Sequence, residues 1–326
     1  MKSNARLLAA ILFCLAIFVR HAMSQSTPGK SPSKDVNWLG HSMHGEAFDE
    51  GPREKPWFME GVGKIHFPIT TSNPEVQRWF DQGNALLHSF WYYEAERAFR
   101  WCIKLDPDCA MAYWGMARVT TFGKPSEAAS NERSSAFIKE AAKRKNKVSE
   151  RERLYIEAWE ELWKDEPKDQ AGAQEAAKRK QERFKISLER IVLKYPQDIE
   201  AKSLFALESL WQSSRYGNEL ILQQVLAVDP RHPGAHHYRI HNWDGPDAEL
   251  ALDSSAQYGS IAPDIGHAHH MPGHIYSKVG MWHEGAISMD SALHVEADYM
   301  KRRMVDRKST RLNSSHSRAS RMPSSA

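Results

Sequence analysis

The sequence predicts an all-α protein, and three observations point to that class. From Glu75 onward, apolar residues recur at intervals of three and four positions and β-branched runs are few, which is typical of amphipathic helices. Prolines close several of these segments at nearly equal intervals: Pro196 and Pro230 are 34 residues apart, and Pro230 and Pro263 are 33 apart. A motif of small and aromatic residues lies near the start of the helical region. These features favour stacked helix pairs, and the alternative is an unrelated helical bundle.

The motif has the spacing W-x3-G-x2-L, then A-x3-F, then a closing proline, in Trp79, Gly83, Leu86, Ala95, Phe99 and Pro107. Gly83 and Ala95 are small where two paired helices approach closely. Proline ends a helix because it has no backbone N–H to donate. The motif resembles the tetratricopeptide repeat (TPR), a helix–turn–helix unit of about 34 residues. The resemblance implies a TPR-like α-solenoid of about six helix pairs over 75–305, because single repeats cannot bury their apolar faces alone.

Three further stretches, 90–95, 106–115 and 269–275, resemble a group of exported bacterial TPR proteins. This second resemblance covers most of residues 40–300 and brings no established activity. In the resembling fold, the first helix of each pair lines a concave groove.

Residues 1–24 have the layout of a secretory signal. A basic start is followed by 13 uncharged residues from Leu7 to Val19, and Ala22-Met23-Ser24 supplies small residues for cleavage. The uncharged run is shorter than the roughly 20 residues that a membrane-spanning helix needs. We therefore expect a periplasmic or secreted protein with no transmembrane segment after cleavage; the alternative is an uncleaved anchor. The composition of residues 25–74 predicts a linker and an extended, irregular lead-in.

The other end of the chain is unusual. Residues 306–316 read DRKSTRLNSSH, which looks like a translated sequencing adapter; the alternative is an ordinary Ser/Arg-rich tail. We expect 306–326 to be a non-native tail and the natural chain to continue past Val305. Without 1–24 and 306–326, the 44 Lys and Arg and 41 Asp and Glu become 36 and 40. The basic excess disappears, so no nucleic-acid partner is expected.

Histidines are concentrated between residues 232 and 274, which hold eight of the 16 in the sequence. Two pairs lie 7 and 11 residues after the helix-closing Pro230 and Pro263, and these pairs are His237/His241 and His270/His274. Residues four apart on a helix share one face, so the pairs are predicted at equivalent places in consecutive repeats. Packed helix axes lie about 8–10 Å apart, close enough for four imidazoles to converge. A third pair, His232/His236, straddles Pro233 at a predicted helix start and is set aside.

Neutral imidazoles with this spacing suit zinc or copper. Asp244 follows His241 by three residues and is either a further ligand or a group that orients an imidazole. The candidate metal ligands are therefore His237, His241, His270, His274 and Asp244. The alternative is a histidine-rich groove whose rings hydrogen-bond their neighbours.

Two functional hypotheses follow from the sequence. The leading one is an exported scaffold that binds a protein or peptide in its concave groove, where the resembling fold often holds peptide-clamping side chains. The competing one is a metal-binding protein or a metal-dependent enzyme, with zinc or copper as the cofactor. The sequence has no Gly-rich phosphate loop, G-x-S-x-G elbow or H-E-x-x-H pair, so no particular enzyme is indicated. Cys102 and Cys109 are predicted either to pair or, more simply, to be separately buried thiols.

Overall fold

The structure is a computed structural model that describes residues 55–122, 127–164, 173–210 and 214–303. These residues all belong to one compact unit of the chain. The predicted signal peptide, the linker up to residue 54 and the predicted non-native tail lie outside the described residues.

The described part of the chain is helical, with no strand in it. Its α-helices, in chain order, are α1 (Pro74–His88), α2 (Tyr92–Leu105), α3 (Ala110–Phe122), α4 (Glu127–Ala142), α5 (Glu150–Leu162), α6 (Ala173–Lys194), α7 (Ile199–Ser209), α8 (Arg215–Val228), α9 (Pro233–Trp243), α10 (Leu252–Ile261), α11 (Gly266–Lys278) and α12 (Trp282–Arg303). Short 3₁₀ turns occupy Glu60–Val62, Lys145–Lys147 and Ala248–Ala251. Within these described ranges, no helix has the length and apolar character that crossing a membrane requires.

The helices pack as six adjacent pairs, α1/α2 through α11/α12, and each pair also contacts the next. This confirms the predicted all-α, TPR-like α-solenoid. The pairing follows from the sequence because each helix has one apolar face, which its neighbours in the chain cover.

Side-chain caps set the starts of several helices. Asn73 accepts a hydrogen bond from the backbone N–H of Glu75 at the start of α1, and Ser149 forms a reciprocal capping box with Glu152 at the start of α5. Asp198 caps α7 in the same way. Such caps satisfy backbone N–H groups that have no partner within the helix.

The small residues of the repeat motif lie at close helix contacts. A Cβ atom added to Gly83 would be 2.8 Å from the ring of Phe99, and one added to Gly115 would be 2.5 Å from it. Phe99 itself is fully buried. The ring of one helix thus fits against the bare backbone of two others, which agrees with the predicted close approach of the paired helices at Gly83.

The solenoid closes on itself. Helix α1 of the first pair contacts α9 of the fifth pair. Tyr299 of α12 donates a hydrogen bond to Glu94 of α2 at 2.5 Å and packs edge-on against Trp91. The last pair therefore contacts the first, and the inner helices surround a filled interior.

The lead-in, described from residue 55, crosses several repeats. Its Gly61 carbonyl accepts a hydrogen bond from the backbone N–H of Asp264, before α11. Thr70 donates to Glu152 at the start of α5 through both its N–H and its hydroxyl. Between these points Phe67 is fully buried and packs against Tyr155, with ring centroids 5.0 Å apart. The lead-in thus ties the early repeats to the late ones.

Both described cysteines, Cys102 and Cys109, are free and buried. Burial raises the pKa of the Cys109 thiol to about 12, so it stays protonated at neutral pH. The structure agrees with two separately buried thiols rather than a disulfide.

We expect Gly83→Ala to destabilise the fold, because the new methyl group must displace the buried Phe99 ring. Overpacking of this kind costs about 1–3 kcal/mol, measured as a fall in the free energy of unfolding in urea. The matched control is Gly217→Ala, since the nearest atom to its new Cβ is 3.8 Å away. Equal stabilities of the two variants would contradict the close contact.

Candidate metal centre

Helices α9 and α11 carry the histidines and contact each other. Helix α9 begins at Pro233, and the imidazole of His232 caps it by accepting a hydrogen bond from the N–H of Ala235. Helix α11 continues through Pro272 without a break. His270 and His274 therefore keep their helical i,i+4 relation despite the proline between them.

The first contact joins the two helices. Nε2 of His237 lies 2.8 Å from Nε2 of His267, and Nδ1 of His237 lies 2.6 Å from the backbone oxygen of His88. A carbonyl oxygen only accepts hydrogen bonds, so Nδ1 of His237 carries the hydrogen and its Nε2 presents a lone pair. His241 lies alongside, its ring centroid 4.8 Å from that of His237. Ligand nitrogens of these three histidines all lie within 4.8 Å of one another.

The second contact lies along α11. Nε2 of His270 is 2.9 Å from Nε2 of His274, and Nδ1 of His274 is 3.0 Å from Oδ2 of Asp244. The other carboxylate oxygen of Asp244 pairs with Nζ of Lys278 at 3.2 Å. Because the carboxylate accepts, Nδ1 of His274 donates and its Nε2 faces His270 as an acceptor.

The two contacts are neighbours. The rings of His267 and His270 are stacked with centroids 6.2 Å apart. All the residues predicted as metal ligands therefore lie in one region, together with His267. We call this set the histidine cluster: His237, His241, His267, His270, His274 and Asp244.

Burial keeps two imidazoles of the cluster neutral. Burial lowers the pKa of His241 to about 4, and burial also lowers the pKa of His270. Burial alone would raise the pKa of Asp244, but its contacts with His274 and Lys278 outweigh that effect and lower it. At neutral pH His241 and His270 are thus uncharged and Asp244 is ionised, and uncharged imidazole nitrogens are the form that binds a metal ion.

Phe90 covers one side of the cluster from an unusual backbone conformation. It has φ of 57°, in the left-handed region that bulky residues rarely adopt. It follows the end of α1, where the N–H of Trp91 bonds to the carbonyl of Leu86, as in a Schellman motif. Its ring centroid lies 4.4 Å from that of His237. After α11, glycine holds the corresponding left-handed position, at Gly280, so phenylalanine here is a local strain that the ring contacts must offset.

Sequence reasoning left His267 out of the predicted ligands, although a signal was present. Residues 267, 270 and 274 are separated by three and then four positions, which places all three on one face of α11. The predicted histidine ligands are the ones that lie at equal distances after Pro230 and Pro263. His267 lies four residues after Pro263, and α9 has no histidine four residues after Pro230.

A second group of ligand-type residues is fully buried: His88, Glu200 and His232. The carboxylate of Glu200 accepts from Nε2 of His88 at 2.9 Å and from Nε2 of His232 at 3.2 Å. The amide of Asn84 donates to the same carboxylate at 2.9 Å. Contacts within the protein thus satisfy the buried charge, which favours a structural network over an ion site. His232, set aside in the sequence analysis, belongs here.

The outer nitrogens of this network are also occupied. Nδ1 of His88 accepts from the hydroxyl of Tyr238 at 2.8 Å, and Nδ1 of His232 accepts from the N–H of Ala235 at 3.0 Å. Burial lowers the pKa of His88 to about 4, while the two histidines hold the pKa of Glu200 well below its usual range despite its burial. The network therefore holds one carboxylate between two imidazoles that both donate hydrogen bonds to it.

In earlier repeats, the residues 7 or 11 positions after a closing proline are buried, at the offsets that the histidine pairs occupy. Trp114 and Ser203 are 0% exposed and Arg118 is 2% exposed. These three side chains therefore belong to the buried interior of the described residues. The part-exposed edge of the histidine cluster is the remaining candidate for binding a partner, and partner binding there stays a prediction.

Comparison with known proteins assigns no family. No protein-family model matches the chain, and no curated protein matches it. Solved structures that resemble it include MamA MSR-1 C2, which is 13% identical, with a TM-score of 0.36 over 58% of this chain and 98% of that one. A likeness at that score carries no argument here, and the fold assignment depends on the helix packing described above.

We expect Glu200→Ala to destabilise the protein strongly, because it leaves buried donors of His88, His232 and Asn84 without their acceptor. Loss of one partner from a buried charged network costs about 3–5 kcal/mol, measured by urea unfolding. Glu182→Ala on the exposed face of α6 is the control and should stay within about 0.5 kcal/mol of the parent. If Glu200→Ala unfolds at the parent's urea midpoint, the network is not structural.

Proposed function

We propose that this protein binds a transition-metal ion, zinc or copper, through His237, His241 and His267. One observation carries the proposal: imidazole nitrogens from two helices lie within 4.8 Å of one another, and two of them face each other at 2.8 Å. Zinc and copper both accept imidazole ligands. Three nitrogen donors leave a further coordination position for water or another ligand.

The spacing is close to what an ion requires. Two nitrogens bound tetrahedrally at the usual zinc distance are roughly 3.3 Å apart, so the His237–His267 contact must widen by only about half an ångström. The ion would replace the hydrogen that His267 now directs at His237. The bond from His237 to the carbonyl of His88 fixes the ring and its tautomer, as outer partners of metal-binding histidines commonly do.

We also propose that the protein is exported and binds a protein or peptide partner, as the signal-like residues 1–24 and the TPR-like fold suggest. The observation that favours a partner at the cluster is the partial exposure of His241 and His267. Lys278, 42% exposed, stands beside Asp244. A bound ion with an open position would attract a carboxylate or imidazole of the partner, so the two functions are compatible.

We expect His267→Ala to weaken the tightest zinc-binding step at least tenfold, because it removes one of three ligands while leaving the buried network intact. Zinc affinity is measured by competition with a chelating dye on protein that carries no histidine tag. His283→Ala, exposed on α12, is the matched control and should bind like the parent. If a His237/His241/His267 triple alanine variant binds zinc and copper as tightly as the parent does, the metal site is refuted.

We expect envelope proteins of a Gram-negative extract to be retained by the immobilised chain with zinc and released by a chelator. His241→Ala/His267→Ala should lose that retention, whereas His283→Ala should keep it, because only the first variant lacks cluster ligands. Retention is measured by quantitative mass spectrometry across the variants. If both variants retain the same amounts of the envelope proteins, partner binding does not depend on the histidine cluster.

A further inference from the structure

The histidine cluster contains two separate nitrogen–nitrogen contacts rather than one point of convergence. Nε2 of His237 faces His267 across the helix pair at 2.8 Å, and Nε2 of His270 faces His274 within α11 at 2.9 Å. The repeat spacing predicts one site formed by His237, His241, His270 and His274. The structure instead divides the imidazoles between two neighbouring contacts.

Both contacts have the same construction. In each, one histidine donates its Nδ1 hydrogen to a fixed oxygen, which is the carbonyl of His88 for His237 and the carboxylate of Asp244 for His274. The Nε2 atom of that histidine is then an acceptor, directed at the Nε2 atom of the second histidine. A hydrogen held between two such nitrogens can be exchanged for a metal ion.

We propose that His270 and His274 form a second metal site, so that the cluster takes two divalent ions of the zinc or copper(II) type. This inference rests on the proposed metal-binding function. Asp244 is the positioning residue of the second site, because it fixes the ring and tautomer of His274 and makes its Nε2 more basic. Lys278 in turn holds the carboxylate in place.

The two sites differ in ligands and exposure. The first has three imidazoles, and His237 is fully buried. The second has two imidazoles, both part-exposed, so water or an added anion would complete its coordination. A second divalent ion also meets repulsion from the first across a short distance. We therefore expect stepwise binding, with the second ion held more weakly than the first.

The test is a zinc titration of the untagged full chain, read by chelator competition and by metal content after gel filtration. The parent should bind about two ions in separable steps. His270→Ala/His274→Ala should keep the tight step and lose the weak one, and His267→Ala should weaken the tight step at least tenfold. Asp244→Asn should weaken only the second step, by about 10- to 100-fold. His283→Ala/His294→Ala on the exposed face of α12 is the matched control, and thermal melting establishes that each variant is folded.

The outcomes separate the two proposals. A single tight ion in the parent that is unaffected by His270→Ala/His274→Ala overturns the second site and leaves the proposed function standing. Loss of all binding in His270→Ala/His274→Ala, with folding intact, indicates one shared ion and also overturns the second site. No zinc or copper binding by the parent overturns both. Should the double variant fail to fold, Asp244→Asn alone decides, because an unchanged second step contradicts the inference.

Discussion

The buried carboxylate of Glu200 is the contact on which the rest of the structure depends. It lies at the start of α7 and accepts hydrogen bonds from His88 at the end of α1 and from His232 at the start of α9. An unpaired buried charge would cost several kcal/mol, and only well-placed donors offset that cost. These donors come from the first and fifth pairs, so satisfying the charge requires the solenoid to close. Closure in turn places the carbonyl of His88 against His237 and fixes the orientation of that imidazole.

The closure of the solenoid also determines which polar side chains are buried and which stay accessible to a ligand. The inner helices of an open TPR-like solenoid line a groove, but here their side chains fill the interior and form a polar network at its centre. The histidines at the edge are the ones that stay part-exposed. Phe90 marks the boundary between the two regions, since its ring lies against His237 while its backbone occupies the left-handed region. The contacts of that ring must offset a conformational cost of about 1–3 kcal/mol.

Local patterns made the helices and part of the cluster predictable. The helix pairs follow from apolar periodicity and spaced prolines, and the shared face of His270 and His274 follows from helix geometry alone. The contact between His237 and His267 depends on how two repeats stack, and repeat spacing does not determine that. The bond between His88 and Glu200 spans 112 residues and depends on the curvature of the whole solenoid. The concave groove stays a prediction, because the repeat motif specifies the helix pairs and leaves the curvature of the solenoid undetermined.

The two nitrogen–nitrogen contacts of the histidine cluster differ in the oxygen that anchors them and in the number of imidazoles beside them. His237 is anchored by a neutral carbonyl, a weaker acceptor, but has two further imidazoles beside it. His274 is anchored by an ionised carboxylate, which makes its Nε2 a better donor to a metal ion, but it has one imidazole partner. The contact with fewer imidazoles thus has the charged anchor, and the group with more imidazoles has the neutral one. Asp244 therefore orients His274 as the carbonyl of His88 orients His237, and its lowered pKa keeps that anchor charged as the solution becomes mildly acidic.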